Sequence, residues 1–158
     1  MLGKLNIVEI EEVLKQNFLG RIGCYANGRT YVVPMSYAYE EGYIYAHAYE
    51  GMKINMMRQN PKICFEVDVM KDMSNWKTVI AWGDFEELTE AEERNHALRI
   101  LVNRKLPSLS SITAKFSKDW PFFSDDYNEI EGIIFRIFLI EKTGRFELNT
   151  STTFSYTM

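Results

Sequence analysis

At 158 residues, with 46% apolar, 14% aromatic and 25% charged side chains, the chain has the composition of a single folded domain spanning 1–158 rather than of a disordered segment. A formal net charge of -4 provides no broad basic field, which argues against a protein that tracks nucleic-acid phosphates. Acidic residues precede any long apolar run, and none approaches the roughly 18 residues that a membrane span needs, so a cytoplasmic protein is expected.

The first element is an amphipathic helix over 7–17, with Ile7, Ile10, Val13 and Leu14 on one stripe. Asn6 is its expected N-cap, paired with Glu9 in a capping box. LGRIGCYA, then Asn27-Gly28, then RTYVVPMSYAY reads as a hairpin, because Asn-Gly accepts the positive φ of a tight turn at both positions. Glu41-Gly42 turns the chain again into YIYAHAY, so residues 19 to 48 predict a three-stranded antiparallel meander. Lys53 to Asn60 is a short helix stopped by Pro61, and KICFEVDVM and WKTVIAWGDFEEL alternate as two further strands. Thr89 and Glu92 form a second expected capping box, opening a helix to about Lys105 with Ala97, Leu98, Leu101 and Val102 on its apolar side. Residues 106–129, with two prolines and many hydroxyls, predict a loop, with or without a short helix, that covers something. GIIFRIFLIEKTGRFEL supplies one long strand or two, with a bend expected at Lys142-Thr143-Gly144.

Strands outnumber helices, so the expected fold is mainly β with a few peripheral helices, a small closed or nearly closed antiparallel barrel. Side chains fill the interior of such a barrel, which leaves a ligand to bind outside, at a subunit seam. Cys24 and Cys64 stand alone in strand-like runs and read as reduced core thiols.

Chemistry converges on residues 34 to 53 and 76 to 83. Pro34 has no N–H, so its strand is expected to bulge there or lie at an edge, leaving backbone groups of Met35 and Ser36 for a ligand. Gly51-Met52-Lys53 opens a helix, where unpaired N–H groups, close approach past glycine and a lysine charge make an anion cradle. His47, one of two histidines, ends a strand six residues before Lys53. A lone strand histidine or a lysine at a helix start is also an ordinary feature, and Trp76, Trp82 and tyrosines 31, 37, 45 and 49 serve equally as core or as flat ligand walls. No Ser-His-Asp order, metal-ligand spacing or glycine-rich dinucleotide loop competes.

GRIGCYANGRTYVVPMSYAYEEGYIYAHAYEGMKINMMRQNPKICFEVD followed by WKTVIAWGDFEEL resembles the pyridoxamine 5′-phosphate oxidase-like FMN-binding split barrels, and most closely their nitroimidazole-resistance (Nim) branch. The resemblance covers about residues 19 to 90. It implies a six- to seven-stranded antiparallel split β-barrel, a homodimer holding FMN in each of two interfacial grooves. Carried over residue by residue, it implies that Pro34, Met35, Ser36 and Tyr37 border the isoalloxazine, while Ala46 and His47 lie along the flavin and ribityl chain. Lys53 and the Gly51 backbone would hold the phosphate, and Trp76, Lys77 and Thr78 would approach from the next strand or across the dimer. It further implies a flavin-dependent oxidoreductase acting on small nitroaromatic or quinone-like molecules, with His47 orienting substrate or donating a proton beside reduced FMN. The alternatives are a protein that carries FMN without turnover, one that holds haem through His47, and a deazaflavin-dependent reductase.

Two departures argue against vitamin B6 oxidation. Met52 occupies the position of the family's phosphate-site arginine, for which Arg21, Arg58 or a partner residue would have to substitute. The arginine-rich terminal segment of those oxidases is replaced by GRFELNTSTTFSYTM, whose one arginine is Arg145.

Overall fold

The computed structural model describes residues 1–104 and 127–149, so the expected covering segment at 106–129 lies almost wholly outside the described residues. The elements run β1 (Leu2–Lys4), α1 (Ile7–Gln16), β2 (Leu19–Ala26), β3 (Arg29–Ser36), β4 (Ala38–Glu40), β5 (Tyr43–Ala48), α2 (Met52–Gln59), β6 (Lys62–Asp72), β7 (Asn75–Glu87), α3 (Ala91–Asn103), a 3-10 turn (Tyr127–Glu129) and β8 (Ile133–Glu147). All pairings are antiparallel, in the order β3-β2-β6-β7-β8-β5-β4, with the short β1 added to the far end of β8. The architecture is thus a mainly β antiparallel split barrel, with eight strands among the described residues because β1 and β4 add to the expected set.

Local chemistry explains most of the elements. Asn6 caps α1 by accepting from the Glu9 N–H at 3.0 Å while the Glu9 carboxylate accepts from the Asn6 N–H at 2.8 Å, the expected reciprocal box. Asn27 and Gly28 take φ of 52° and 74°, and Glu41 and Gly42 take 49° and 85°, so both hairpins close through left-handed residue pairs. Thr89 does not cap α3; Glu90 holds the N-cap position without a side-chain bond. Ile7 and Val102, expected on apolar stripes, are exposed.

The meander differs from expectation in a way that creates the split. RTYVVPMSYAY is not one strand: it breaks at Tyr37 into β3 and β4, and these lie at opposite ends of the sheet order. One residue therefore carries the chain from one sheet edge to the other, and the barrel is joined there by the covalent chain instead of a hydrogen-bonded ladder. Tyr37 is anchored accordingly, fully buried, with its ring edge-on to Phe65 at 5.0 Å and its hydroxyl donating to the Leu14 carbonyl at 2.9 Å. Tyr37 N–H also bonds the Phe18 carbonyl at 2.8 Å.

Two apolar layers hold the fold. Alternate residues of β2, β5, β6, β7 and β8, such as Ile22, Ile44, Phe65, Ala81 and Phe135, fill the barrel, joined by Leu14 of α1 and by Ile54 and Met57 of α2. Outside it, α3 presses Ala97, Leu98 and Leu101 onto Ala38, Tyr45 and Ile134. Each such side chain contributes about 1.5–3 kcal/mol on burial. β8 runs unbroken through Lys142-Thr143-Gly144, and its irregularity lies opposite Trp82 and Gly83. Gly144 is instead a packing glycine, since a Cβ there would stand 2.7 Å from Leu5. Cys24 lies in the core as expected, whereas Cys64 is half-buried on the outer face. No helix among the described residues is long and apolar enough to cross a membrane.

Candidate functional site

The split runs beside β3, whose ladder with β2 is intact from Leu19↔Ser36 to Ala26↔Arg29. Pro34 is accommodated by edge position rather than by a bulge, and the backbone groups available at Met35 and Ser36 are those on the strand's unpaired side. The Pro34 side chain is exposed and Ser36 half-buried, whereas Met35, Tyr37 and Ala46 turn into the core and can offer a ligand only backbone atoms.

Across the split, β5 alternates so that Ile44, Ala46 and Ala48 face the barrel interior while His47 faces out, opposite Ile134 of β8. His47 Nε2 lies 2.8 Å from the Glu131 carbonyl oxygen. A carbonyl only accepts, so Nε2 carries the proton and Nδ1 is the acceptor of the neutral ring. Tyr49 stands edge-on at 5.2 Å. Burial lowers the His47 pKa below its usual value; the bond to Glu131 opposes this, and the charges of Arg94, Arg104 and Lys53 add to the lowering.

Glycine at 132 makes this contact possible. Its φ is +98°, and a Cβ there would fall 2.6 Å from His47 Nε2 and 2.9 Å from the Ala48 carbonyl. Arg94 holds the same segment by donating to the carbonyls of Ile130 and Gly132.

Lys53 lies in the first turn of α2, after Gly51 at an N-cap that has no side-chain cap. Gly51 is extended, at φ 173°, so its backbone does not require glycine; the missing side chain leaves room, with nothing nearer to a Cβ than the Tyr49 carbonyl at 4.0 Å. The Lys53 ammonium is half-buried and among the described residues makes no ion pair or hydrogen bond. Burial lowers its pKa, and the titratable group acting on it is the Cys24 thiol, not a carboxylate. Arg58 and Arg21, the expected substitutes for the phosphate-site arginine, are already engaged. Arg58 pairs with Glu87 at 2.8 Å and Glu50 at 2.9 Å, and Arg21 pairs with Glu66 at 3.3 Å and with Asp68.

Trp76, Lys77 and Thr78 lie elsewhere in the same chain. They pair with Glu147, Phe146 and Arg145 of β8, whereas His47 pairs with Ile134. The separation along β8 is 11 to 13 residues, roughly 35–45 Å of strand. Trp76 Nε1 donates to Glu147 at 3.1 Å and Thr78 Oγ1 to Glu66 at 3.0 Å. These residues can share a ligand with His47 only through a second copy of the chain. Sequence reasoning missed Arg94, Arg104 and the Glu131-Gly132 pair; the available signal was a glycine placed immediately before the apolar strand run IIF.

The open barrel, the edge strand at Pro34 and a lysine that makes no ion pair among the described residues and acts on the strand histidine describe a split barrel. A family model described as pyridoxamine 5′-phosphate oxidase matches residues 8–121, and the chain belongs to that family. A Mesorhizobium loti protein described as FAD-binding is 29% identical, with a TM-score of 0.70 over 94% of this chain and 99% of that one. A Bacteroides thetaiotaomicron structure described as a 5-nitroimidazole antibiotic resistance protein is 22% identical, with a TM-score of 0.70 over 92% of this chain and 87% of that one. An uncharacterized Rhizobium meliloti protein, RA0666, is 31% identical over 100 residues, spanning 61% of this chain and 66% of the relative.

Proposed function

We propose that this protein is a homodimeric flavoprotein that holds FMN along the β3–β5 split and reduces small nitroaromatic or quinone-like molecules. The observation that carries the reading is Lys53: a half-buried ammonium at a helix start, without a carboxylate, beside a glycine whose missing Cβ leaves space. A desolvated cation of this kind favours a phosphate partner, because ammonium and helix N–H groups act together on it. Pro34 and Ser36 on the open edge of β3 would border the ring system, with Met35, Tyr37 and Ala46 contributing backbone. Trp76, Lys77 and Thr78 would enter from the second copy, as their distance along β8 requires.

A bound flavin supplies two-electron transfer to an acceptor. His47 is neutral near pH 7, since burial and three nearby cations disfavour imidazolium. Its role is therefore to orient substrate as a hydrogen-bonding group, held by Glu131, rather than to act as a standing acid. FAD is the second reading, favoured by the description of the Mesorhizobium loti relative.

The first test is the visible spectrum of the purified protein with mass spectrometry of the released chromophore. FMN supports the reading, FAD transfers it to the longer flavin, a Soret band moves it to haem, and a chain that refuses added flavin overturns it. With flavin retained, His47→Ala is expected to lose nitroaromatic reduction without losing the chromophore; unchanged turnover sinks the orienting role.

A further inference from the structure

Arg94, near the start of α3, gives its donors to main chain: one N–H goes to the Gly132 carbonyl at 3.4 Å and another to the carbonyl of Ile130. The residue between these two, Glu131, turns its own carbonyl to His47 Nε2 at 2.8 Å. Among the described residues Arg94 forms no ion pair, so no carboxylate competes for its guanidinium.

The segment needs such a hold. Ile130 is buried in the apolar layer with Leu98 and Leu101 of α3, and Ile133 is the first residue of β8 paired with β5, at Ala48. Glu131 and Gly132 lie between these anchors, both exposed, and Gly132 takes φ +98°. Glycine leaves the backbone its widest freedom, so burial and pairing alone do not aim the Glu131 carbonyl. A planar guanidinium meets two acceptors at once in a fixed geometry, which fixes the carbonyls on both sides of Glu131.

The consequence reaches the imidazole. A neutral histidine has two tautomers, and the partner of one ring nitrogen decides which is populated. A carbonyl that only accepts selects the form with the proton on Nε2, and its position sets the plane of the ring.

We propose that Arg94 is a positioning residue for His47: by clamping the carbonyls of Ile130 and Gly132 it aims that of Glu131, and so fixes the tautomer and orientation of the imidazole. The inference rests on the reading of His47 as the group that meets substrate. Its test reads the ring in flavin-free protein as well as turnover in the loaded protein, so the two fail separately.

Nitrogen NMR of the imidazole rings in the full-length protein at about pH 8, where both histidines are neutral, provides the first readout. His96→Asn identifies the signals of the second histidine. A single Nε2–H tautomer is expected for His47 in the wild type and a mixture of both tautomers in Arg94→Met, while Glu92→Gln, exposed on the same helix, should leave the signals unchanged. Circular dichroism establishes that Arg94→Met is folded. If it is not, Arg94→Lys, which keeps the charge and loses the two-carbonyl fork, carries the test with a smaller admixture. In the flavin-loaded protein, Arg94→Met should lower kcat/KM for nitroaromatic reduction by about three- to tenfold and lower it no further in a His47→Ala background. An unchanged single tautomer in the folded variant, or an equal loss of turnover with and without His47, overturns the proposal. Unchanged turnover in His47→Ala itself falls on the function reading, and the tautomer then decides the proposal alone.

Discussion

On the outer face of β2, β6 and β7, Arg21 lies between Glu66 and Asp68, and at the end of α2 Arg58 lies between Glu50 and Glu87. Around His47 the arrangement is the reverse. Lys53 and Arg104 are more deeply buried than those arginines, yet neither meets a carboxylate among the described residues. The first group is self-neutralised and solvated, so it contributes little and is available to no ligand. The second has lost hydration without compensation, which makes it costly in the free protein and receptive to an anion. Charge inventory alone does not separate the two groups, because each contributes two cations and only their surroundings differ.

Removing one cation from each group sharpens the contrast. Lys53→Met should weaken flavin binding by about 30- to 100-fold, the loss of a charged hydrogen-bonding partner worth about 2–3 kcal/mol. The same change should leave the flavin-free Tm equal or higher by about 1–3 °C, because an uncompensated burial is removed. Flavin fluorescence titration and a thermal melt read both, and a fall in flavin-free Tm with unchanged flavin affinity would break the comparison.

Gly132→Ala is next in size. It places a Cβ against the His47 ring in a left-handed conformation, at a cost of about 1–3 kcal/mol, and should displace the imidazole. Denaturant unfolding checks the cost, and histidine NMR shifts check the displacement.

His47 supplies a pH test of smaller size. Its folded pKa lies below its unfolded one, so the folded state resists protonation. Stability is then fully present above about pH 6.5 and is lost as pH falls from there through the folded pKa. In His47→Asn that part of the profile should flatten, read by denaturant melts between pH 7.5 and 5. Arg21→Gln completes the series with the smallest effect: a stability change of about 0–1 kcal/mol, weakened further by salt, and no change in flavin retention. A large flavin effect there would move Arg21 into the binding site.

Strand alternation and a helix start are local events, so the sequence places His47 on β5 and Gly51 and Lys53 at the start of α2, as the structure has them. It did not reveal that Met35, Tyr37 and Ala46 face inward. Proximity in sequence to a site does not specify which face of a strand a side chain takes, and that is set by register against the core. Nor did it reveal the holding of His47 by Glu131, a contact across 84 positions that exists only once β5 and β8 pair.

By itself, the sequence determined the antiparallel strand-rich class, the two left-handed hairpin turns, the first helix with its capping box and the helix that begins at the split. Each depends on periodicity or on the φ tolerance of one or two residues. Only the tertiary structure decided that RTYVVPMSYAY divides at Tyr37 and sends its halves to opposite sheet edges, since either half satisfies the same alternation. It also decided which cations are neutralised. Ion pairing and burial depend on which strands and helices become neighbours, and that follows from long-range packing around Phe65, Phe135 and Ile134, not from any local run of residues.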